Sequence, residues 1–199
     1  MSSSLSSHLR PAVVVFGALT LICGVIYPLA VTGIGAVAFP AQAAGSIVEI
    51  DGKAVGSTLI GQSFSSPKYF WGRPSATGPM PDNAAGSGGS NLGSNNAAQL
   101  DAVKGRIDAL KAADPGNTLP VPVDLVTASG SGLDPEISVA AARYQAGRVA
   151  AARRMPAEQV LAMIDGSRLK QYFGFFGEPR VNVLELNLAL DRAKPATKQ

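Results

Sequence analysis

An uncharged run from Pro11 to Val48 leads this chain, and it constrains everything after it because it fixes which solvent each part meets. Crossing the hydrocarbon core of a bilayer, roughly 30 Å, takes about 20 apolar residues at 1.5 Å each. Pro11 to Gly33 supplies that length, with Val13 to Phe16, Leu19, Leu21, Ile22, Val25, Ile26, Leu29 and Val31 in it. A chain built this way crosses a membrane or is exported through one. Ala41-Gln42-Ala43 has the small-x-small form of a cleavage site, so a removed leader stays open beside a retained anchor. Against a leader, the apolar core exceeds the about 7–15 residues of a signal peptide. The basic region before it is also thin, with only His8 and Arg10. Cys23 would suit a lipid-modified N-terminus, but bulky Ile22 precedes it and further apolar residues follow.

The organisation taken forward is a cytoplasmic N-terminus at 1–10, a transmembrane anchor helix at 11–36 and one soluble extracytoplasmic domain at 40–199. Its direction rests on Arg10 before the span and on Glu49, Asp51 and Lys53 after it, which the positive-inside rule reads as N-terminus in. The part after the anchor is long enough for one domain with its own core.

Several function classes fall away on composition. Of the 17 basic residues only Arg10 precedes the span, and the others face 14 acids without forming a basic block, so nucleic acid is excluded as a partner. The only Cys is Cys23 and the only His is His8. The domain therefore holds no disulfide, no Cys/His metal site and no Ser-His-Asp or Cys-His nucleophile system. Gly52-Lys53 is followed by Ala54 without the upstream glycine of a Walker A loop, and no G-x-S-x-G elbow occurs. No catalytic and no metal residue is assigned.

Along the domain, Ser46 to Leu59 reads as a β-hairpin, with Asp51-Gly52 suited to a tight turn of positive φ. Tyr69-Phe70-Trp71-Gly72-Arg73-Pro74 reads as a core corner or a ligand platform. Ser75 to Asn96 has almost no apolar anchors, so the 75–96 stretch is a functional or a mobile loop. Within it Ser87-Gly88-Gly89-Ser90 is suited to a nest of amides around an anion or a backbone carbonyl. Asn96 caps a helix carrying Leu100, Val103, Ile107 and Leu110 and ending at Asp114-Pro115. Val121 to Thr127 reads as a short buried strand leading into the loop of Ser129, Ser131 and Asp134. That loop is a helix entrance or a partner contact.

A second helix follows Ser138, with an apolar stripe of Val139, Ala142, Ala146, Val149 and Ala150. Its arginines, Arg143, Arg148, Arg153 and Arg154, read as a solvated face, or as a grip on phosphate or carboxylates. A third helix starts near Pro156 and runs through Val160 and Ile164 to Gly166. Val181 to Leu190 alternates like a strand, although the slip between Val183 and Leu184 keeps a helix open. Asp134 and Glu136 together offer oxygen ligands to a hard cation, a common pairing that specifies little. The fold class expected is α+β: one N-terminal transmembrane helix, then a single compact extracytoplasmic domain with a small sheet and about three helices.

Gly56-Ser57 with Leu59 to Gln62, Tyr69 to Ala76, Ser87 to Gly93 and Val121 to Pro135 occur in that order after the single span. Tyr144-Gln145, Arg148 to Ala150 and Gly177 to Asp191 complete the set. This ordered set resembles the C subunit of the Kdp-type potassium-transporting P-type ATPase. The sequence departs from that pattern at Glu136, often His in the family, and at Val139, often Pro.

The resemblance implies a non-catalytic accessory subunit of a bacterial plasma-membrane pump. Its partners would be a pore-forming A subunit that binds potassium, an ATP-hydrolysing B subunit and a small F subunit, all set in membrane lipid. It also implies a catalytic chaperone that raises the ATP affinity of the B subunit, with Gln145 as the nucleotide-contacting residue. An external domain cannot meet cytoplasmic ATP, so neither Gln145 nor Ser87 to Ser90 would touch it there. ATP is then no firmly bound cofactor, and the coupling runs through the membrane subunits. Gly17, Thr20 and Gly24, at i, i+3 and i+7, are expected to dock the span on a partner helix. Ser87, Gly88, Gly89, Ser129, Ser131 and Asp134 are expected to contact partners from the external domain. Two rivals from other classes remain: a tethered or secreted binding module, and an exported Ser/Lys hydrolase.

Overall fold

The computed structural model describes residues 5–193, and they divide into two compact units, through Ile47 and from Val48. The first unit is helical: α1 (Leu5–Leu21), a π turn (Ile22–Ile26), α2 (Tyr27–Ala38) and the short α3 (Pro40–Ala43). Ser7–Ala38 forms one helical run of 32 residues, long and apolar enough to span a bilayer, with none of its most apolar stretch buried by the rest of the chain. Pro28 explains the π turn. A proline lacks the amide that would bond four residues back, and its ring crowds the carbonyl there, here that of Gly24. Widening the helix relieves that crowding, and Tyr27 N–H donates to the Ile22 carbonyl five residues back.

The second unit begins with a hairpin of β1 (Ile47–Ile50) and β2 (Lys53–Ser57). Asp51 (φ 50°) and Gly52 (φ 72°) make the tight turn that the Asp-Gly pair predicts. Helix α4 (Ala97–Ala113) starts at Asn96, whose side chain accepts from the Ala98 N–H. A three-stranded antiparallel sheet in the order β3-β5-β4 comes from β3 (Glu136–Ser138), β4 (Arg168–Leu169) and β5 (Arg180–Asn182). Ile137 lies opposite Val181, which lies opposite Arg168 on the other side. Helices α5 (Val139–Arg153), α6 (Ala157–Gly166) and α7 (Val183–Arg192) complete the unit. The alanine stripe of α5 lets neighbours approach closely. Around Val149, Val160, Ile164, Val181, Leu186 and Leu190, all fully buried, the core forms.

Two expected strands are corrected. Val121 to Thr127 contains a 3-10 turn at Val123–Leu125 instead, because Pro120 and Pro122 remove ladder donors and the Asp124 carboxylate turns to bond Ser138. Val181 to Leu190 is the end of β5 followed by α7, so the domain gains a fourth long helix. The switch falls at Asn182, whose side chain accepts from the Glu185 N–H and starts the helix one residue before the slip in the alternation. Asp134 and Asp124 also accept from the backbone N–H groups of Glu136 and Ser138, which occupies donors along the outer edge of β3.

Candidate functional site

The aromatic corner is held from both sides. Successive residues of an extended chain point their backbone groups in opposite directions. Trp71 N–H donates to Gln145 Oε1 (2.8 Å) and its carbonyl accepts from Gln145 Nε2 (3.1 Å), from α5. Phe70 N–H donates to Asn187 Oδ1 (2.8 Å) and its carbonyl accepts from Asn187 Nδ2 (3.0 Å), from α7. Two side-chain amides thus replace two neighbouring strands. Both are buried, at 1% exposure each, and Phe70 is at 0%.

Arg148 completes this clamp and corrects the expectation of a solvated arginine face. It donates to the Pro67 and Tyr69 carbonyls (2.7 and 3.1 Å) and to Gln145 Oε1 (2.7 Å), with its guanidinium 4.2 Å from the centre of the Trp71 ring. Burial lowers its pKa to about 10 while Asp114 pulls the other way, so it stays charged at neutral pH. Arg143 does lie on the surface side of α5, paired with Asp165, whereas the Arg153 side chain is only 13% exposed: it pairs with Asp191, donates to the Lys68 carbonyl (2.6 Å) and covers the Tyr69 ring. Gln145, the residue proposed for nucleotide, has both ends of its amide committed to Trp71, Ala141 and Arg148.

The other expected residues of the domain meet one another. Gly88 N–H and the Ser87 hydroxyl both donate to the Ser131 carbonyl (2.8 and 3.0 Å), so the nest holds a carbonyl of its own chain. A Cβ on Gly89 would lie 2.9 Å from the Gly130 carbonyl oxygen, and one on Gly132 (φ +69°) 2.6 Å from that of Gly88. Only glycine fits this approach. Buried Ser129 donates its N–H to the Pro74 carbonyl (3.1 Å), and the Ser75 hydroxyl donates to that of Gly132 (2.7 Å). The long loop is therefore built onto the second one, and its own turns are held by Ser75, Thr77 and Asn83.

Asp134 pairs with Arg73 (3.1 Å), and Glu136 with Arg180. These two pairs flank a cleft of about 560 Å³ beside Asp124, Ser138 and Glu178. Both carboxylates expected to attract a cation thus have a guanidinium partner. In the first unit, Gly17 and Thr20 lie in α1 and Gly24 is the third residue of the π turn, where the periodicity relating the three positions is interrupted.

Sequence reasoning missed the structural roles of Asn187 and Arg148: both fall in segments that carry the family resemblance, but nothing in their spacing pairs them with residues 67–71. It also missed Tyr172, Phe173, Phe175 and Phe176, all exposed, although three of the seven phenylalanines fall in four positions.

The family model described as "K+-transporting ATPase, c chain" matches residues 9–192. The potassium-transporting ATPase KdpC subunit of Janthinobacterium sp. (strain Marseille) is 72% identical over 188 residues, covering 94% of this chain and 100% of that protein. The subunit of the same name from Herminiimonas arsenicoxydans is 70% identical over 188 residues, 94% of this chain and 99% of that one. That of Methylibium petroleiphilum is 64% identical over 187 residues, 94% and 98%.

Proposed function

The chain belongs to the family of c chains of the K+-transporting ATPase, and from that membership we propose that it is a non-catalytic, membrane-anchored assembly subunit of the pump. The observation that carries this reading is the apolar helical run Ser7–Ala38, which the rest of the chain leaves uncovered. Apolar surface of that extent is stable in lipid or against other membrane helices. In this reading Gly17 and Thr20, three apart on α1, let a helix of the pore-forming subunit approach closely, and Gly24 continues that contact at the π turn. ATP hydrolysis belongs to another chain of the pump, and the small F subunit is a further neighbour.

In this reading the N-terminus is cytoplasmic and the domain lies outside, which Arg10 before the span supports. Any rise in ATP affinity then reaches the hydrolysing subunit through the membrane subunits. The engagement of the Gln145 amide supports this, because contact with nucleotide would require breaking its bonds to Trp71. A reporter active only outside the cytoplasm, fused after Gln199, tests the orientation: activity is expected, and an inactive but expressed fusion overturns it. Replacing Gly17 and Gly24 by Leu is expected to strip the subunit from the purified pump, and unchanged co-purification refutes the docking face.

A further inference from the structure

The β4–β5 connection is a turn made for display. Tyr172 and Phe176 pair as a bridge, with Tyr172 N–H to the Phe176 carbonyl (3.0 Å) and the reverse bond at 2.9 Å. Phe175 N–H also donates to the Tyr172 carbonyl (3.2 Å). Phe173 (φ 53°) and Gly174 (φ 81°) sit at the two positive-φ positions between them. Asn or Asp normally takes the first such position, so a phenylalanine there is a local misfit. Folding gains nothing from it, since the Phe173 side chain is 87% exposed and Phe175 and Phe176 are also exposed. A broken local rule without a packing gain marks a position set by function.

We propose that this tip is an interfacial membrane contact, with Phe173, Phe175 and Phe176 seated among the acyl chains just below the headgroups of anionic lipid. Four observations favour lipid over a protein partner. The tip is apolar and its three phenylalanine rings are exposed. The N–H groups of Tyr172, Gly174, Phe175 and Phe176 all find carbonyls within the turn, and the Gly177 carbonyl accepts from Gln171 Nε2 (2.6 Å), which leaves few donors to satisfy at an interface. Exposed Arg168 and Lys170 lead into it, against the single nearby unpaired acid Glu178, while the Arg180 guanidinium bonds the Tyr172 hydroxyl (3.0 Å) and fixes an amphipathic ring at its base. The connection 39–46 from the helical run to β1 reaches at most about 30 Å when extended, so a domain on a spanning helix remains beside the bilayer.

This inference rests on the reading that Ser7–Ala38 spans the membrane, but not on its direction, since both leaflets have an interface. The test is Phe173→Trp in the full chain, reconstituted into vesicles of phosphatidylethanolamine and phosphatidylglycerol carrying brominated acyl chains, alone and in the assembled pump. The added emission, taken against the parent chain with Trp71 alone, is expected to shift to the blue and to be quenched by the bromines. Its depth should be about 5–10 Å into the boundary. Emission at the wavelength of exposed Trp, quenched by acrylamide and not by bromine, overturns the proposal. Shielding from both quenchers in the assembled pump also overturns it, because the rings then lie against a subunit. Alkaline carbonate extraction separates the two failures. Release from the vesicles removes the spanning reading itself, whereas retention with a water-exposed probe removes only the lipid contact.

Discussion

Asn187→Leu is the sharpest test of the amide clamp on the aromatic corner. Leucine keeps the branched shape of asparagine but neither donates nor accepts, and it leaves no room for a water to take over. The Phe70 N–H and carbonyl, bonded to Asn187 at 2.8 and 3.0 Å, would both be left unpaired beside a fully buried ring. An unmade bond at a buried group costs about 1–3 kcal/mol, so two give a loss near 4 kcal/mol. Urea unfolding of the detergent-solubilised chain reads this directly, because Trp71, its only tryptophan, is the next residue. With a slope of about 2 kcal/mol per molar, the midpoint should fall by about 2 M. Gln145→Leu releases the other edge of the same segment. Once one edge is free the second contributes less, so the double variant should lose less than the sum of the two. A midpoint shift below about 0.5 M for Asn187→Leu would refute the clamp as a main support of the fold.

Gly132→Ala should separate the two interlocked loops, since its Cβ would meet Thr77 Cγ2 at 2.5 Å and the Gly88 carbonyl oxygen at 2.6 Å. Faster proteolysis within 75–96 and a loss of about 2 kcal/mol or more are expected, whereas Gly88→Ala, with open space at its Cβ, should cleave at the parent rate. Burial and the nearby Asp114 raise the pKa of Tyr144 above its ordinary 10.0. The unfolded chain therefore loses that proton first, and the contribution of Tyr144 is full below pH 10 and drains away as pH rises through the folded value. Tyr144→Phe should flatten the alkaline fall in urea midpoint, and an unchanged slope would refute it. Arg154 ends α5 in the left-handed region at φ 56°, so Arg154→Gly should raise stability by about 1 kcal/mol, read as a higher urea midpoint.

Legibility followed the range of the interactions. Asp51-Gly52, the Asn96 cap and the apolar steps of α4 act over a few residues, and each was readable from neighbours alone. The last segment was misleading because Leu184, Leu186, Leu188 and Leu190 alternate as in a strand although they lie in α7, and only the slip between Val183 and Leu184 left a helix open. Only the Asn182 cap and the pairing of β5 with β3 and β4 resolve it. The loops at 75–96 and 129–134 each looked unanchored because their partner was the other loop, more than 40 residues away. Arg148 and Gln145 read as surface or ligand residues for the same reason: their acceptors and donors lie at 67–71, across some 75 residues of chain.

The uncharged run at the front, the absence of His and Cys from the domain and the ordered family segments were decided by residue identity alone. Transfer of an apolar helix into lipid and the chemistry a side chain can perform depend on what the residues are. Which polar side chains are spent on holding the fold, and which apolar ones are left outside it, was decided only by tertiary structure. A hydrogen bond or a buried ring exists only between groups that folding brings together, and for Gln145, Asn187 and Arg148 those groups come from distant parts of the chain. Phe173 shows the reverse: it stays exposed because its tight turn carries it away from the core.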